Sequence, residues 1–259
     1  MPIRRYGQHF LTDKTIIDKI VEGSGVTKND AVLEIGPGRG ILTRALASAA
    51  KRVVTVEIDR RLHALLEKEG LPENVELMRG SVLDLDAHAL EEKLGTDWKL
   101  VANLPYEITS KTLETFLPMR SATGKGPTSL TLMLQKEVGE RVTAQPGDMN
   151  RLAIFCGYYS EPNVLFTVPA GAFSPPPKVQ SCVVRFDIKP SVALDGRQEQ
   201  QFFKLIALGF SEKRRQLKNT LRSMLGDDAS ALLVSAGISP EARPEEVPPQ
   251  KWITLAQKM

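Results

Sequence analysis

The sequence predicts an α/β protein: a Rossmann-like, seven-stranded, mostly parallel sheet followed by a small all-α C-terminal domain. Three observations carry this. Short β-branched runs alternate with helical patterns through most of the chain, as βαβ units require. A glycine-rich turn, Glu34-Ile35-Gly36-Pro37-Gly38-Arg39-Gly40, joins the first such run to a helix. After Asp187 the strand-like runs stop and the apolar spacing turns helical.

In chain order, the strand-like runs are Ala31–Ile35, Arg52–Ile58, Val75–Met78 and Lys99–Ala102, with helical patterns at Ile41–Ala50 and Arg60–Glu69 between them. Ser129–Gln135 is a fifth run, followed by the charged helical pattern Lys136–Ala144. Asn163–Val168 and Ser181–Phe186 complete the seven. Only the proline-rich segment Pro169–Pro177 separates these last two, so they are expected to form an antiparallel hairpin at a sheet edge. Lys189–Arg197 reads as a polar linker, Phe202–Phe210 as a helix, and Leu217, Leu221 and Leu225 recur at spacing four. The expected domains are therefore 1–188, carrying the sheet, and 189–259, helical.

Composition narrows the class. The 259 residues are 42% hydrophobic and 25% charged, which excludes a disordered chain. A net charge of +3 permits a nucleic-acid partner without requiring one. Cys156 and Cys182 sit in apolar contexts and read as buried thiols rather than a disulfide. His9, His63 and His88 are scattered and no C-x-x-C occurs, so no metal site is expected. The N-terminus lacks an apolar signal core, and no apolar run approaches the roughly 18 residues of a membrane span. A soluble, cytoplasmic protein without membrane attachment is expected, with a monomer as the default.

Glycines at a strand-to-helix turn let a ligand approach the main chain. Glu57 closes the second strand, where an acid can hold the two hydroxyls of a ribose. A dinucleotide fingerprint counted from Gly36 needs Gly or Ala at 41, which is Ile41, and a Walker lysine-serine pair is absent. A cofactor with ribose but no phosphate is thus favoured, and S-adenosylmethionine fits.

The fourth strand runs into Asn103-Leu104-Pro105-Tyr106. One reading is a turn, since Asn and Pro are common after strands. The other is a site for a planar, weakly nucleophilic amine. A carboxamide oxygen and a backbone carbonyl accept its two hydrogens, an aromatic face stacks on its heterocycle, and proline holds the preceding carbonyl in one direction. The tetrapeptide alone does not choose between them. Further on, Gly209–Arg222 holds five basic residues, Lys213, Arg214, Arg215, Lys218 and Arg222, against the single acid Glu212. Arg214, Lys218 and Arg222 are one helical turn apart, beside an apolar stripe of Leu217 and Leu221. A helix docked on its own domain and facing phosphate is one reading; a solvated face is the other.

Taken together, Gly7–Leu11, Glu34–Gly40, Glu57, Asn103–Tyr106, Gln135–Val138, Phe173-Ser174-Pro175 and Phe210–Arg215 resemble the S-adenosylmethionine-dependent ribosomal RNA adenine N6-dimethyltransferases, in this order along nearly the whole chain. The resemblance is greatest to the bacterial small-subunit, kasugamycin-resistance type. It implies dimethylation of two adjacent adenosines near the 3′ end of small-subunit ribosomal RNA, within the immature small ribosomal subunit. It also implies roles. Gln8, His9 and Leu11 cover the cofactor, Gly36 and Gly38 form its methionine-side loop, and Glu57 holds its ribose. Asn103, Leu104 and Tyr106 form the catalytic turn, with Asn103 also beside the cofactor, and Phe173 packs on the target base from an exposed loop. The cluster Lys213–Arg222 meets RNA, with Arg4 and Arg5 adding contacts at the mouth of the site. Ser81 stands where the family usually has an Asp for the cofactor's adenine; Asp84 reads as a separate position. The alternatives are a large-subunit methylase of the erythromycin-resistance type and an assembly factor acting mainly by binding.

Overall fold

The computed structural model describes residues 9–85, 87–212 and 214–259. Its main sheet has seven strands: β1 (Ala31–Ile35), β2 (Arg52–Glu57), β3 (Val75–Arg79), β4 (Asp97–Asn103), β5 (Gly126–Gln135), β6 (Ser160–Val168) and β7 (Ser181–Ile188). Their spatial order is β3-β2-β1-β4-β5-β7-β6. The first five are parallel, and β7 runs antiparallel to β5. The expected edge hairpin is present, with β6 outermost. The strand order reverses between β1 and β4, and the crevice beyond the carboxyl ends at such a reversal is where open α/β sheets bind ligands.

Alternation along the strands fixes the two buried faces. Val32, Val53, Val101, Met133 and Val183 pack with Ile16, Ile17 and Ile20 of the helix Lys14–Ser24 and with Leu42 and Leu46 of the helix Ile41–Ala49. The intervening Leu33, Val54 and Leu100 are also fully buried. Burial on both faces explains why these strands read as continuous apolar runs. The sequence reading does not include the helix Lys14–Ser24, although its apolar stripe Ile16, Ile17 and Ile20 keeps helical spacing and Asp18, Lys19 and Glu22 lie on the opposite, exposed face. Asp13 starts it by accepting from the main-chain N–H of Thr15 at 2.9 Å and of Ile16 at 3.3 Å. Among the described residues no helix is long and apolar enough to cross a membrane.

Part of the proline-rich segment departs from the expected exposed loop. Phe173–Ser174 pairs antiparallel with Phe10–Leu11, with Leu11 opposite Phe173. Phe173 is therefore only 5% exposed and belongs to the same apolar core as the helix Lys14–Ser24. Pairing with a distant strand satisfies its main chain and turns its ring inward, which no local signal announces.

The chain forms two compact units. The sheet unit runs to Gly139 and resumes over Glu161–Pro190; the second comprises Glu140–Ser160 and Ser191–Met259. The second boundary falls two residues from the one expected at 188/189, but the helix Arg151–Tyr159 groups with the C-terminal helices rather than with the sheet. Its aromatic face is the cause. Tyr158 meets Phe202 at a 4.6 Å ring separation, Phe155 meets Phe203 at 5.9 Å, and the Tyr159 hydroxyl donates to Glu199 at 2.8 Å. The fully buried Trp252 anchors the rest of this unit, donating from Nε1 to the Val247 carbonyl at 3.2 Å.

At the end of the first stretch of the sheet unit, Gly139 packs without a side chain in the helix Lys136–Val142, where a Cβ would stand 2.2 Å from Cys182 Sγ. Cys182 is buried on β7 and has nowhere to move. Gly139→Ala is expected to lower the unfolding free energy by about 1–3 kcal/mol, and Cys182→Ala in that background to restore part of it. Denaturant titration checks this; an unchanged midpoint for Gly139→Ala contradicts the packing argument.

Candidate active site

A cleft of about 460 Å³ opens at the carboxyl ends of β1, β2 and β4. That size suits a small-molecule ligand of nucleoside dimensions. Three strand ends line it, joined by further segments. The glycine loop after β1 contributes Gly36 and Gly38, the end of β2 contributes Glu57, and the end of β4 contributes Asn103, Leu104 and Tyr106. His9 and Leu11, Ser81 and Phe173 line it as well. Residues distant in sequence are thus brought to one concavity by the strand order and by the pairing of Phe10–Leu11 with Phe173–Ser174.

The glycine loop needs its glycines. Gly36 and Gly38 have φ of 69° and 59°, in the left-handed region. A Cβ on Gly38 would also stand 3.2 Å from the Phe10 ring. Glu57 ties this loop to β2: one carboxylate oxygen accepts from the Gly38 N–H at 3.3 Å and the other from the Asp59 N–H at 2.8 Å. Burial pushes the Glu57 carboxyl above its usual range, and these two donors oppose that shift. Beneath it lies Glu34, 1% exposed, accepting from the Thr43 hydroxyl at 2.7 Å. Burial raises Glu34 to about 7.

The N-terminal strap His9–Leu11 borders the cleft. Phe10 pairs with Ser174, His9 Nδ1 lies 2.7 Å from the Pro175 carbonyl, and the Arg39 guanidinium sits 5.0 Å from the Phe10 ring centroid. Ser81 Oγ accepts from the Leu83 N–H at 3.2 Å and caps the short turn Val82–Asp84. On β4, Asn103 is the last strand residue, and Leu104 is 3% exposed. The Asn103 carboxamide makes no hydrogen bond to any described residue, whereas the Tyr106 hydroxyl lies 3.1 Å from Ser181 Oγ.

The donor set fits S-adenosylmethionine. Glu57 offers a partly desolvated carboxylate at the strand end, and the loop holds no lysine for a phosphate. Ile58 follows the acid and is 58% exposed in the cleft wall, beside Leu62 and Val82. An exposed isoleucine beside that carboxylate offers an apolar face to a planar ring. Ile58, Phe10 and Glu34 escape the sequence reading: their burial or exposure is settled by neighbours far along the chain.

The cationic segment differs from expectation. The helix Gly196–Gly209 ends at a glycine packed on Trp252, and a turn with Arg214 at φ 69° follows before the four-residue helix Leu217–Thr220. Arg214, Lys218 and Arg222 therefore do not form one stripe on one helix. The turn is held by tertiary bonds, Leu217 N–H to the Ala242 carbonyl at 2.9 Å and Lys218 N–H to the Pro240 carbonyl at 3.2 Å, which override the local spacing. Leu217 and Leu221 are fully buried. Arg215 pairs with Glu212 at 2.9 Å, Lys218 with Glu241 at 3.1 Å and Arg222 with Asp227 at 2.7 Å. Such exposed pairs are weak and screened, so the cations remain open to phosphate. Arg4, Arg5, Gln8 and Lys213 lie outside the described residues.

Residues 3–259 match the model of the family described as ribosomal RNA adenine dimethylase. The chain belongs to the ribosomal RNA adenine dimethylase family. It is an S-adenosylmethionine-dependent ribosomal RNA adenine N6-dimethyltransferase. Relatives include proteins named ribosomal RNA small subunit methyltransferase A. The one from Trichormus variabilis is 40% identical, over 98% of this chain and 97% of its own length. The one from Dehalococcoides mccartyi (strain ATCC BAA-2100) is 39% identical, over 96% and 85%. Among solved structures, the 23S rRNA methyltransferase ErmE superposes with a TM-score of 0.79 at 27% identity, over 96% of this chain and 98% of that one. A dimethyladenosine transferase from Plasmodium falciparum gives 0.77 at 27% identity, over 95% and 96%.

Glu34 gives the dimethyltransferase a pH signature. Its folded value near 7 lies above the ordinary 4.5, so the folded state favours the protonated acid. The stability this brings is complete below the ordinary value and is lost as pH rises through about 7. Glu34→Gln is expected to flatten the decline in Tm between about pH 5 and about pH 8. Thermal melts across that range check it; an unchanged slope contradicts it.

Proposed function

We propose that this dimethyltransferase acts on the small ribosomal subunit, converting two adjacent adenosines near the 3′ end of its RNA to N6-dimethyladenosine during subunit biogenesis. The full-length similarity at 39–40% identity to proteins named for the small subunit supports this over the large-subunit reading, for which the named structure is 27% identical. The observation that carries the site assignment is that Asn103, at the end of β4, shares one cleft with Glu57 and the glycine loop.

When bound, S-adenosylmethionine supplies an electrophilic methyl group. Glu57 holds the ribose hydroxyls, and Gly36 and Gly38 leave the main chain open to the methionine end. Ser81 accepts weakly at the adenine, where a carboxylate would accept more strongly. His9 and Leu11, in the strap, exclude water from above. The target adenine N6 is a poor nucleophile because its lone pair is delocalised. The Asn103 side-chain oxygen and the Leu104 carbonyl accept its two hydrogens, favouring the pyramidal amine and turning its lone pair into the cleft. Pro105 fixes the direction of the Leu104 carbonyl. Tyr106 stacks on the unstacked base, and Phe173 supports the opposite side from its buried position. Catalysis comes from orientation and from dipoles set before the base arrives. The second unit supplies Arg214, Arg215, Lys218 and Arg222 to the RNA phosphates, with Lys213, Arg4 and Arg5 assigned the same role from the sequence.

Asn103→Ala is expected to lower turnover by about 10²-fold or more while leaving cofactor affinity within about threefold. Glu57→Ala is expected to show the reverse balance, weakening the cofactor first. Single-turnover methylation of unmethylated small subunits with a labelled donor, combined with calorimetry of cofactor binding, separates the two. Mapping the labelled nucleotide tests the substrate: label confined to large-subunit RNA would overturn the proposal, as would near-normal turnover by Asn103→Ala.

A further inference from the structure

The Tyr106 ring has one polar anchor among the described residues, its hydroxyl contact of 3.1 Å with Ser181 Oγ. Ser181 is fully buried and opens β7. The sheet register locates it. Asn103 stands opposite Met133 on β5, Met133 opposite Val183 on β7, and Gln135 opposite Ser181. Because β7 runs antiparallel, its first residue lies at the same edge as the end of β5, two rows beyond Asn103. Its main chain is held by pairing with Gln135, and the neighbouring Gln180 carbonyl accepts from the Lys136 N–H at 2.9 Å. The serine hydroxyl thus moves about a single torsion on a fixed frame.

Tyr106 is placed differently. It follows Pro105 in the short 3₁₀ turn Tyr106–Ile108, and its side chain is half-buried against the cleft. Without a partner for its hydroxyl, the ring orientation would rest on packing from one side only. Ser181 does not line the cleft, so it meets neither base nor cofactor directly.

We infer that Ser181 is a positioning residue for the methyl transfer: its hydroxyl locks the Tyr106 ring, and so fixes the plane in which the target base lies relative to Asn103. This rests on the reading of Tyr106 as the base-stacking surface. Nothing in the local sequence links the two, since they are 75 residues apart.

A double-mutant cycle tests it. Ser181→Ala and Tyr106→Phe are each expected to lower kcat on unmethylated small subunits by about 3–10-fold, the size of one neutral hydrogen bond. Cofactor affinity should stay unchanged, and Tm should fall by no more than about 2–6 °C, equally for the two single variants. The double variant should be no slower than the slower single one, because both substitutions remove the same contact. Multiplicative losses, or a wild-type rate for Ser181→Ala, overturn the inference. Tyr106→Ala distinguishes the two levels. If it turns over normally, the stacking reading itself fails and Ser181 falls with it. If it is inactive while the cycle shows independent losses, the stacking reading stands and the role of Ser181 is rejected.

Discussion

Parallel strands β1, β2, β4 and β5, buried on both faces, leave only their ends for polar chemistry, and the reversal of strand order between β1 and β4 decides which end is used. At that reversal the connections leave in opposite directions and a crevice opens between them. The glycine loop, Glu57 and Asn103 stand at its rim because each terminates a strand that takes part in the reversal. Changing the strand order would scatter the same residues. The chemistry of the site therefore depends on sheet topology before it depends on any single side chain.

Electrostatics divides the molecule by task. In the sheet unit, two carboxyl groups, Glu34 and Glu57, lie close to the glycine loop and are both raised by burial. Glu57 is held by main-chain donors, which keep a carboxylate available in a poorly solvated place. Glu34 is held by the Thr43 hydroxyl, a weaker partner, and its proton is shared out near neutral pH. In the second unit Arg215, Lys218 and Arg222 pair with the exposed acids Glu212, Glu241 and Asp227, and such pairs are weak and screened by salt.

This chain superposes with a 23S rRNA methyltransferase and with a dimethyladenosine transferase at TM-scores of 0.79 and 0.77, so it shares their architecture. Fold similarity of this kind leaves the choice of ribosomal subunit undecided. The choice proposed for this chain rests on full-length sequence similarity to small-subunit enzymes.

The sequence by itself determined the fold class, the seven strands and the strand ends that border the cleft, among them Gly36, Gly38, Glu57 and Asn103. Period-two and apolar-run signals are local, and buried parallel strands make them strong at Ala31–Ile35 and Arg52–Glu57. Tertiary structure alone decided the rest. Phe173 turns inward because Leu11 pairs with it from more than 160 residues away. The helix Arg151–Tyr159 joins the second unit because its rings meet Phe202 and Phe203. The run Gly209–Arg222 breaks into turns because distant carbonyls at Pro240 and Ala242 claim its N–H groups. In each case the partner is remote along the chain, so the energy that selects the conformation is invisible to any window of neighbouring residues.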